Sequence, residues 1–201
     1  MKTLKVHLDK KARSSHEIHI GRNIPDRMVL LLAKNHKASR YGIVTDTNVN
    51  RLYGKTMLAA MSGAGLNAFL LEIPAGESSK TMTTAMNLAG RLLEAGADRG
   101  TLLIALGGGV VGDLTGFVAS VYMRSVPYVQ IPTTLVGQVD SAIGGKTAVD
   151  LPQGKNLLGT FYQPRAVFVD LRFLDTLPER EFANGLAEII KYGIIDDEKL
   201  F

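Results

Sequence analysis

Apolar residues arrive along this chain in two textures. One is a short apolar run cut off by glycine, proline or an acid, and it predicts strands. The other spaces apolar positions three and four apart, and it predicts helices. Leu4–Leu8 and Glu17–Ile20 alternate polar and apolar and read as a short antiparallel pair. Pro25 opens a helix through Lys34, since proline is tolerated in a first turn. Tyr41–Thr45 is a strand ending at Asp46, and Val49–Ser62 is helical up to Gly63-Ala64-Gly65. Ala68–Ile73, Thr101–Leu106 and Val126–Ile131 repeat the strand texture, with helices expected over Thr81–Ala95, Val110–Met123 and Thr133–Ile143. After the strand Ala166–Val169 the texture changes: Pro178–Lys191 reads as one amphipathic helix and Ile194–Phe201 as the start of another.

Alternation of this kind with glycine-rich connections predicts an α/β fold, a Rossmann-like, largely parallel, doubly wound sheet. A boundary is expected near Asp170–Asp175, dividing an α/β domain (1–173) from the start of a helical one (174–201). In such sheets ligands bind beyond the carboxyl ends of the strands. Asp46, Glu77, Lys80, the segment Gly107–Asp113, Thr133 and Thr134 all follow strand ends, so the pattern gathers them on one edge.

Composition narrows the class. The 201 residues are 46% hydrophobic and 21% charged, which is the range of a globular protein. No apolar run approaches the roughly 20 residues of a membrane span, and the N-terminus does not read as a signal peptide. The absence of cysteine excludes disulfides, thiolate-held zinc and thiol catalysis. The cytoplasm is the expected location. The net charge of +4 is spread along the chain with no basic block among aromatics, so no nucleic-acid partner is expected; an anionic small substrate fits it equally well. His16 and His19 are expected at the surface or an edge, and with His7 and His36 they form no credible metal site.

Gly107-Gly108-Gly109-Val110-Val111-Gly112 satisfies G-x-G-x-x-G, where glycines let backbone N–H groups approach a pyrophosphate at a helix N-terminus. The same turn also suits a tight strand-to-helix connection, and Asp113 a favourable place near the dipole. In Ala75-Gly76-Glu77-Ser78-Ser79-Lys80, Glu77 could accept from a ribose or amide and Lys80 could pair with phosphate; equally, Ser78, Ser79 and Thr81 are good helix caps. Asp46 suits a ribose hydroxyl or an N-cap. Thr133 and Thr134 offer hydroxyls or caps. Gly144-Gly145, flanked by Asp140, Lys146, Lys155 and Asn156, reads as a loop around a substrate phosphate or carboxylate. Glu188 and Lys191 lie one turn apart and suit an ordinary ion pair.

Taken together, Pro74–Lys80, Gly107–Phe117, Pro132–Asp150, Gly154–Asn156, Phe173–Thr176 and Asn184–Gly193 resemble the 3-dehydroquinate synthase family. Gln138-Val139-Asp140-Ser141 joined to Gly144-Gly145-Lys146-Thr147 is the specific part; the glycine triplet alone also fits glycerol dehydrogenases and iron-type alcohol dehydrogenases. The resemblance implies an NAD-dependent phosphate lyase and cyclase acting on 3-deoxy-D-arabino-heptulosonate 7-phosphate, in which NAD is regenerated and zinc or cobalt acts as a Lewis acid. It implies that NAD is held by Asp46, by Ala75, Gly76, Glu77, Ser78, Ser79 and Lys80, by Gly108, Gly109, Val110, Val111, Gly112 and Asp113, by Thr133 and Thr134, and by Phe173, Leu174, Asp175, Thr176 and Leu177. Asp140, Lys146, Asn156 and Lys191 would hold the substrate, with Lys146 and Lys155 bridging it to the cofactor. Arg124 would reach a neighbouring subunit's substrate in a homodimer, and Glu188 would be a metal ligand. The family's two histidine ligands lie downstream of that glutamate, and here no histidine follows His36, so a chain truncated within its helical domain and lacking full activity is expected. Other sugar-phosphate cyclases of inosose or valiolone type, a polyol dehydrogenase and a non-catalytic NAD-binding remnant are the alternatives.

Overall fold

The structure, a computed structural model, describes residues 1–6 and 15–201. Seven strands form one sheet, in the order β1 (Lys2–Val6), β2 (His16–Gly21), β9 (Ala166–Asp170), β6 (Tyr128–Pro132), β5 (Leu102–Gly107), β3 (Tyr41–Asp46) and β4 (Ala68–Ile73). β1 runs antiparallel to β2, with Leu4 opposite Ile18, and the remaining pairs are parallel. The expected first strand, Leu4–Leu8, thus starts earlier at Lys2, while Leu8 and His7 lie outside the described residues.

Burial on both faces explains the apolar runs. Leu103, Ala105 and Val44 point to one face, where they pack with α4 (Met82–Glu94) and α5 (Gly109–Val121). Leu102, Ile104, Leu106 and Ile43 point to the other, against α1 (Pro25–Asn35) and α3 (Lys55–Gly63). Helices on both faces of a parallel sheet turn its central strands into near-continuous apolar runs. The helix expected over Val49–Ser62 is present in three pieces: α2 (Thr47–Val49), a π-helical turn (Asn50–Gly54) and α3.

Three expectations are corrected. His16 and His19 are buried, each 4% exposed, because β2 is an interior strand between β1 and β9 and the ring of His19 stacks on Phe168. Gly144 and Gly145, at φ 98° and 68°, form the expected loop, but the flanking Lys146, Lys155 and Asn156 stand on an antiparallel hairpin, β7 (Lys146–Leu151) and β8 (Gly154–Phe161), packed on α5. There Gly159 lies so close to β7 that a Cβ on it would come within 2.1 Å of the Thr147 carbonyl oxygen. Finally, α6 runs unbroken from Glu179 to Ile195, so Ile194 belongs to its last turn and does not begin another helix; Leu200 and Phe201 turn back onto Asp197. α6 leaves an apolar stripe exposed at Leu186, Ile190 and Ile194. No described helix is long and apolar enough to cross a membrane.

The seam between β6 and β9 differs from the other parallel pairs. Its register is a single pair among the described residues, Gln130 opposite Val167. At the carboxyl end a side chain takes over: the Gln138 amide donates to the carbonyls of both Pro132 and Asp170, at 3.2 Å each. Gln138 stands in the helix expected over Thr133–Ile143, which runs over residues 135–141 and ends in a π-helical turn, Gly137–Ser141.

Candidate active site

The chain runs outward from β3 to β4 and then returns to place β5 on the other side of β3. A reversal of this kind opens a crevice at the carboxyl ends of the two strands, where open α/β sheets bind ligands. Asp46 closes β3 on one side of it. Its carboxylate caps α2, accepting from the amides of Asn48 and Val49 at 2.9 and 3.0 Å. Gly107 closes β5 on the other side, and Gly108 is the N-cap of α5.

Side chains at this turn would not fit. A Cβ on Gly107 would lie 2.5 Å from Val111, on Gly108 2.9 Å from Thr134, and on Gly112 2.8 Å from Gln130. The first amides of a helix have no partners within it; here they belong to Gly109, Val110 and Val111. Val111 offers its amide only, since its side chain sits in the core, and the Gly112 amide is already spent on the Gly108 carbonyl. Thr133 is buried and its amide ties β6 to the Gly107 carbonyl, while the Thr134 hydroxyl accepts from the Gly137 amide.

The turn after β4 carries Gly76 at φ 104°, a conformation open to glycine at little cost. It continues through a 3-10 turn, Glu77–Ser79, and the cap of α4 falls to Thr81, which accepts from the Thr84 amide. Ser79 and Lys80 are buried. The Lys80 ammonium reaches Asp113 Oδ2 and Asn156 Oδ1, both at 2.5 Å, so it joins α5 to the hairpin. Burial pushes the Asp113 carboxyl above its ordinary value, and the hydrogen bond and charge of Lys80 pull against that rise. At the rim, Lys155 and Glu77 form an exposed ion pair at 3.1 Å.

Beside this cluster lies a cavity of about 450 Å³ lined by Asp113, Asp140, Ser141, Lys146 and Asn156, with Phe161 at its edge. Four residues singled out from the sequence therefore meet around one space. α6 stands over the helical turn that bears Asp140: a Cβ on Gly185 would collide with Leu135, and the Tyr192 hydroxyl reaches the Val139 carbonyl. On α6, Lys191 bonds Glu188, and that contact raises the pKa of the lysine. Among the described residues no three His, Cys, Asp or Glu side chains come together as a metal-holding group.

Other expected residues do not line that cavity. Leu171–Thr176 is a 3-10 turn after β9; Phe173 is buried with Tyr53 edge-on to it, Thr176 bonds the Tyr53 hydroxyl, and Asp175 pairs with Arg22. Leu174 and Leu177 close that turn, the Leu177 amide donating to the Leu174 carbonyl. Arg124 is exposed at the far end of α5, about 20 Å from Gly109 by the rise of a 13-residue helix. Met123, Arg124 and Ser125 all have positive φ, at 50°, 69° and 97°. Two residues of the site region escaped the sequence reading. Asp150 accepts from the Asn156 amide at 2.8 Å. Asp170, buried, accepts from the amides of Asn23, Ile24 and Arg172.

A sheet buried on both faces, with its glycine turn and a lysine–aspartate pair at the reversal of strand order, defines a Rossmann-like α/β unit. Beyond that class, the chain belongs to the 3-dehydroquinate synthase family: the family model described as 3-dehydroquinate synthase N-terminal matches residues 70–184. It is 48% identical over its whole length to the 3-dehydroquinate synthase of Thermodesulfovibrio yellowstonii, of which it covers 55%. Among solved structures it is similar to 2-epi-5-epi-valiolone synthase from Streptomyces hygroscopicus with NAD+ and Zn2+ bound, at 35% identity and TM-score 0.85, covering 96% of this chain and 53% of that one. It is also similar to 2-deoxy-scyllo-inosose synthase complexed with carbaglucose-6-phosphate, NAD+ and Co2+, at 28% identity and TM-score 0.87, covering 96% and 52%. The chain thus spans about half the length of the curated relatives it matches.

Proposed function

We propose that this chain supplies the nucleotide-binding part, and one wall of the substrate pocket, of an enzyme converting 3-deoxy-D-arabino-heptulosonate 7-phosphate to 3-dehydroquinate and phosphate. That reaction belongs to the shikimate route to chorismate and the aromatic amino acids. The observation that carries this reading is Lys80, whose buried ammonium ties the glycine turn to the hairpin that borders the cavity.

The residues fit NAD. The turn at Gly107–Gly109 is bare of side chains, with unpartnered helix amides for a pyrophosphate, and Asp46 stands across the crevice for a ribose hydroxyl. Bound NAD supplies a hydride acceptor and, later in the same turnover, the donor. In this reading Glu77, Lys80, Thr134 and the Phe173–Leu177 turn border the nucleotide. Lys146 and Asn156 present a cation and an amide to the substrate's phosphate or carboxylate, and Asp140 accepts from its hydroxyls. Lys155 leaves Glu77 to span cofactor and substrate, and Lys191 stands over Asp140.

The described residues do not by themselves fit a divalent metal. Catalytic zinc ordinarily has about three protein ligands, and Glu188 is a single carboxylate already bonded to Lys191. We assign residues 1–173 to the nucleotide-binding unit and α6 to a helical unit that completes the pocket and the zinc or cobalt site. Arg124, far from the cluster on its own subunit, is assigned to a neighbouring subunit's pocket in a homodimer. A cytoplasmic location accords with this chemistry.

The test is NAD+ titration of this chain by calorimetry, joined to phosphate release from the heptulosonate phosphate by the full coding product with NAD+ and Zn2+ or Co2+. Saturable NAD+ binding and stoichiometric phosphate release without accumulation of NADH support the reading. Steady NADH accumulation would assign a dehydrogenase instead.

A further inference from the structure

The hairpin is irregular at one place. Val149 pairs with Leu158 and Leu151 with Gly154, so three residues of β8, Lys155 to Leu157, stand opposite the single residue Asp150 of β7. A bulge bends the strand that carries the extra residues, here β8 around Asn156. The Asp150 backbone turns away from β8 and bridges in parallel to Thr81, its amide donating to the Lys80 carbonyl at 2.7 Å. Its carboxylate turns the other way and accepts from the Asn156 amide at 2.8 Å. Asn156 stands at φ 59°, a left-handed conformation uncommon for residues with a side chain but more open to asparagine than to most. The loop then closes on itself, because the Asn156 side chain accepts from the Lys80 ammonium.

We propose that Asp150 is a positioning residue of the site. Its backbone fixes Lys80 and its carboxylate fixes Asn156 in the left-handed conformation, so the two meet with Asp113 at the border of glycine turn and cavity. Asp150 does not line the cavity; it acts through Asn156 and Lys80. The bulge in β8 brings Asn156 back to Asp150, so one residue faces two segments 76 positions apart in sequence. The part of this proposal that concerns ligand binding rests on the nucleotide reading above, whereas the part that concerns Asn156 does not.

The experiment compares the unaltered chain with Asp150→Ala, Asp150→Asn, Asn156→Ala and the double variant Asp150→Ala/Asn156→Ala. Two quantities are read: the NAD+ dissociation constant by calorimetry and the hydrogen-exchange rate of the Asn156 amide by NMR. Asp150→Ala is expected to weaken NAD+ about tenfold and to speed exchange at residue 156 at least tenfold, as loss of one hydrogen bond to a charged acceptor implies. Asp150→Asn keeps an acceptor oxygen and is expected to restore both to within about twofold. In the Asn156→Ala background, Asp150→Ala is expected to cost no further NAD+ affinity, the non-additivity of two residues acting through one contact. A simple loss of fold would not be rescued by asparagine and would not vanish in that background. Full additivity, or an unchanged Asn156 exchange rate in Asp150→Ala, overturns the proposal. Should the unaltered chain not bind NAD+ at all, the nucleotide reading fails, and the exchange rate of Asn156 alone decides for or against Asp150.

Discussion

Lys80 ends the turn after β4 and Asp113 lies on α5, which follows β5; β4 and β5 are not neighbours, yet the two side chains meet at 2.5 Å with 6% and 18% of each exposed. Breaking a buried pair by removing one partner leaves the other charge uncompensated. Lys80→Met is therefore expected to cost about 3 kcal/mol at pH 7.5. Because burial already raises the Asp113 pKa, the variant's carboxyl is expected to take up a proton well above the ordinary 3.8, and the deficit to shrink toward pH 5. Urea unfolding at the two pH values checks this; an equal deficit at both would remove the ion pair as the cause.

Asp170 is the second carboxylate with an unusual setting. Burial would raise its pKa, but the amides of Arg172 and Ile24 and the Arg172 guanidinium overcome that and hold it below its ordinary value of 3.8. A carboxyl depressed in the folded state contributes stability that is present above about pH 4 and lost as pH falls below it. Asp170→Ala leaves three amides at the entry to α1 and after β9 without their acceptor, and is expected to cost about 3 kcal/mol at neutral pH. Asp170→Asn, which keeps one acceptor oxygen, should fall between. Thermal melts followed by circular dichroism across pH 3 to 7 measure both effects.

His19 works in the opposite range. Burial chiefly lowers its pKa below 6.5, against the pull of Glu17. The unfolded chain then binds the proton more readily than the folded one. Stability is full above about pH 6.5 and declines as pH falls below it. Replacement of His19 by Phe, which keeps a ring against Phe168, is expected to flatten the melting temperature between pH 8 and 5. A slope unchanged by the substitution would assign the effect to other groups.

Two glycines separate packing from backbone freedom. Gly159→Ala would drive a methyl into the Thr147 carbonyl across the hairpin and is expected to cost about 3 kcal/mol, the upper range for overpacking. Gly90 in α4 has open space where a Cβ would stand, with nothing within 4 Å of it, so Gly90→Ala should stabilise by about 0.5–1 kcal/mol. Chemical unfolding of both variants gives the two signs.

The parallel strands were legible because burial on both faces demands unbroken apolar runs, as in Thr101–Leu106. The hairpin was not, because Leu157, Leu158 and Phe161 point outward and its glycines read as turns. The burial of His16 and His19 depends on β9, about 150 residues later, which pairs with β2 to make it interior. That neighbour is invisible in local alternation. The site's residue types and its edge of the sheet could be read from strand ends. Asp150 and Asp170 could not, since their partners are backbone amides brought to them by a bulge and by a parallel crossover. Asp46 shows the reverse: its capping role and a ligand role predict the same residue at the same place.

Gln138 couples the sheet to the pocket. Where neighbouring strands elsewhere are laced by a ladder of peptide groups, β6 and β9 are fastened at the carboxyl end by one carboxamide. That carboxamide projects from the same helical turn that carries Asp140. Cohesion of the scaffold and aim of a pocket carboxylate are thus one mechanical joint. A change at this turn that alters the reach of Asp140 therefore also alters the carboxyl-end fastening of β6 to β9.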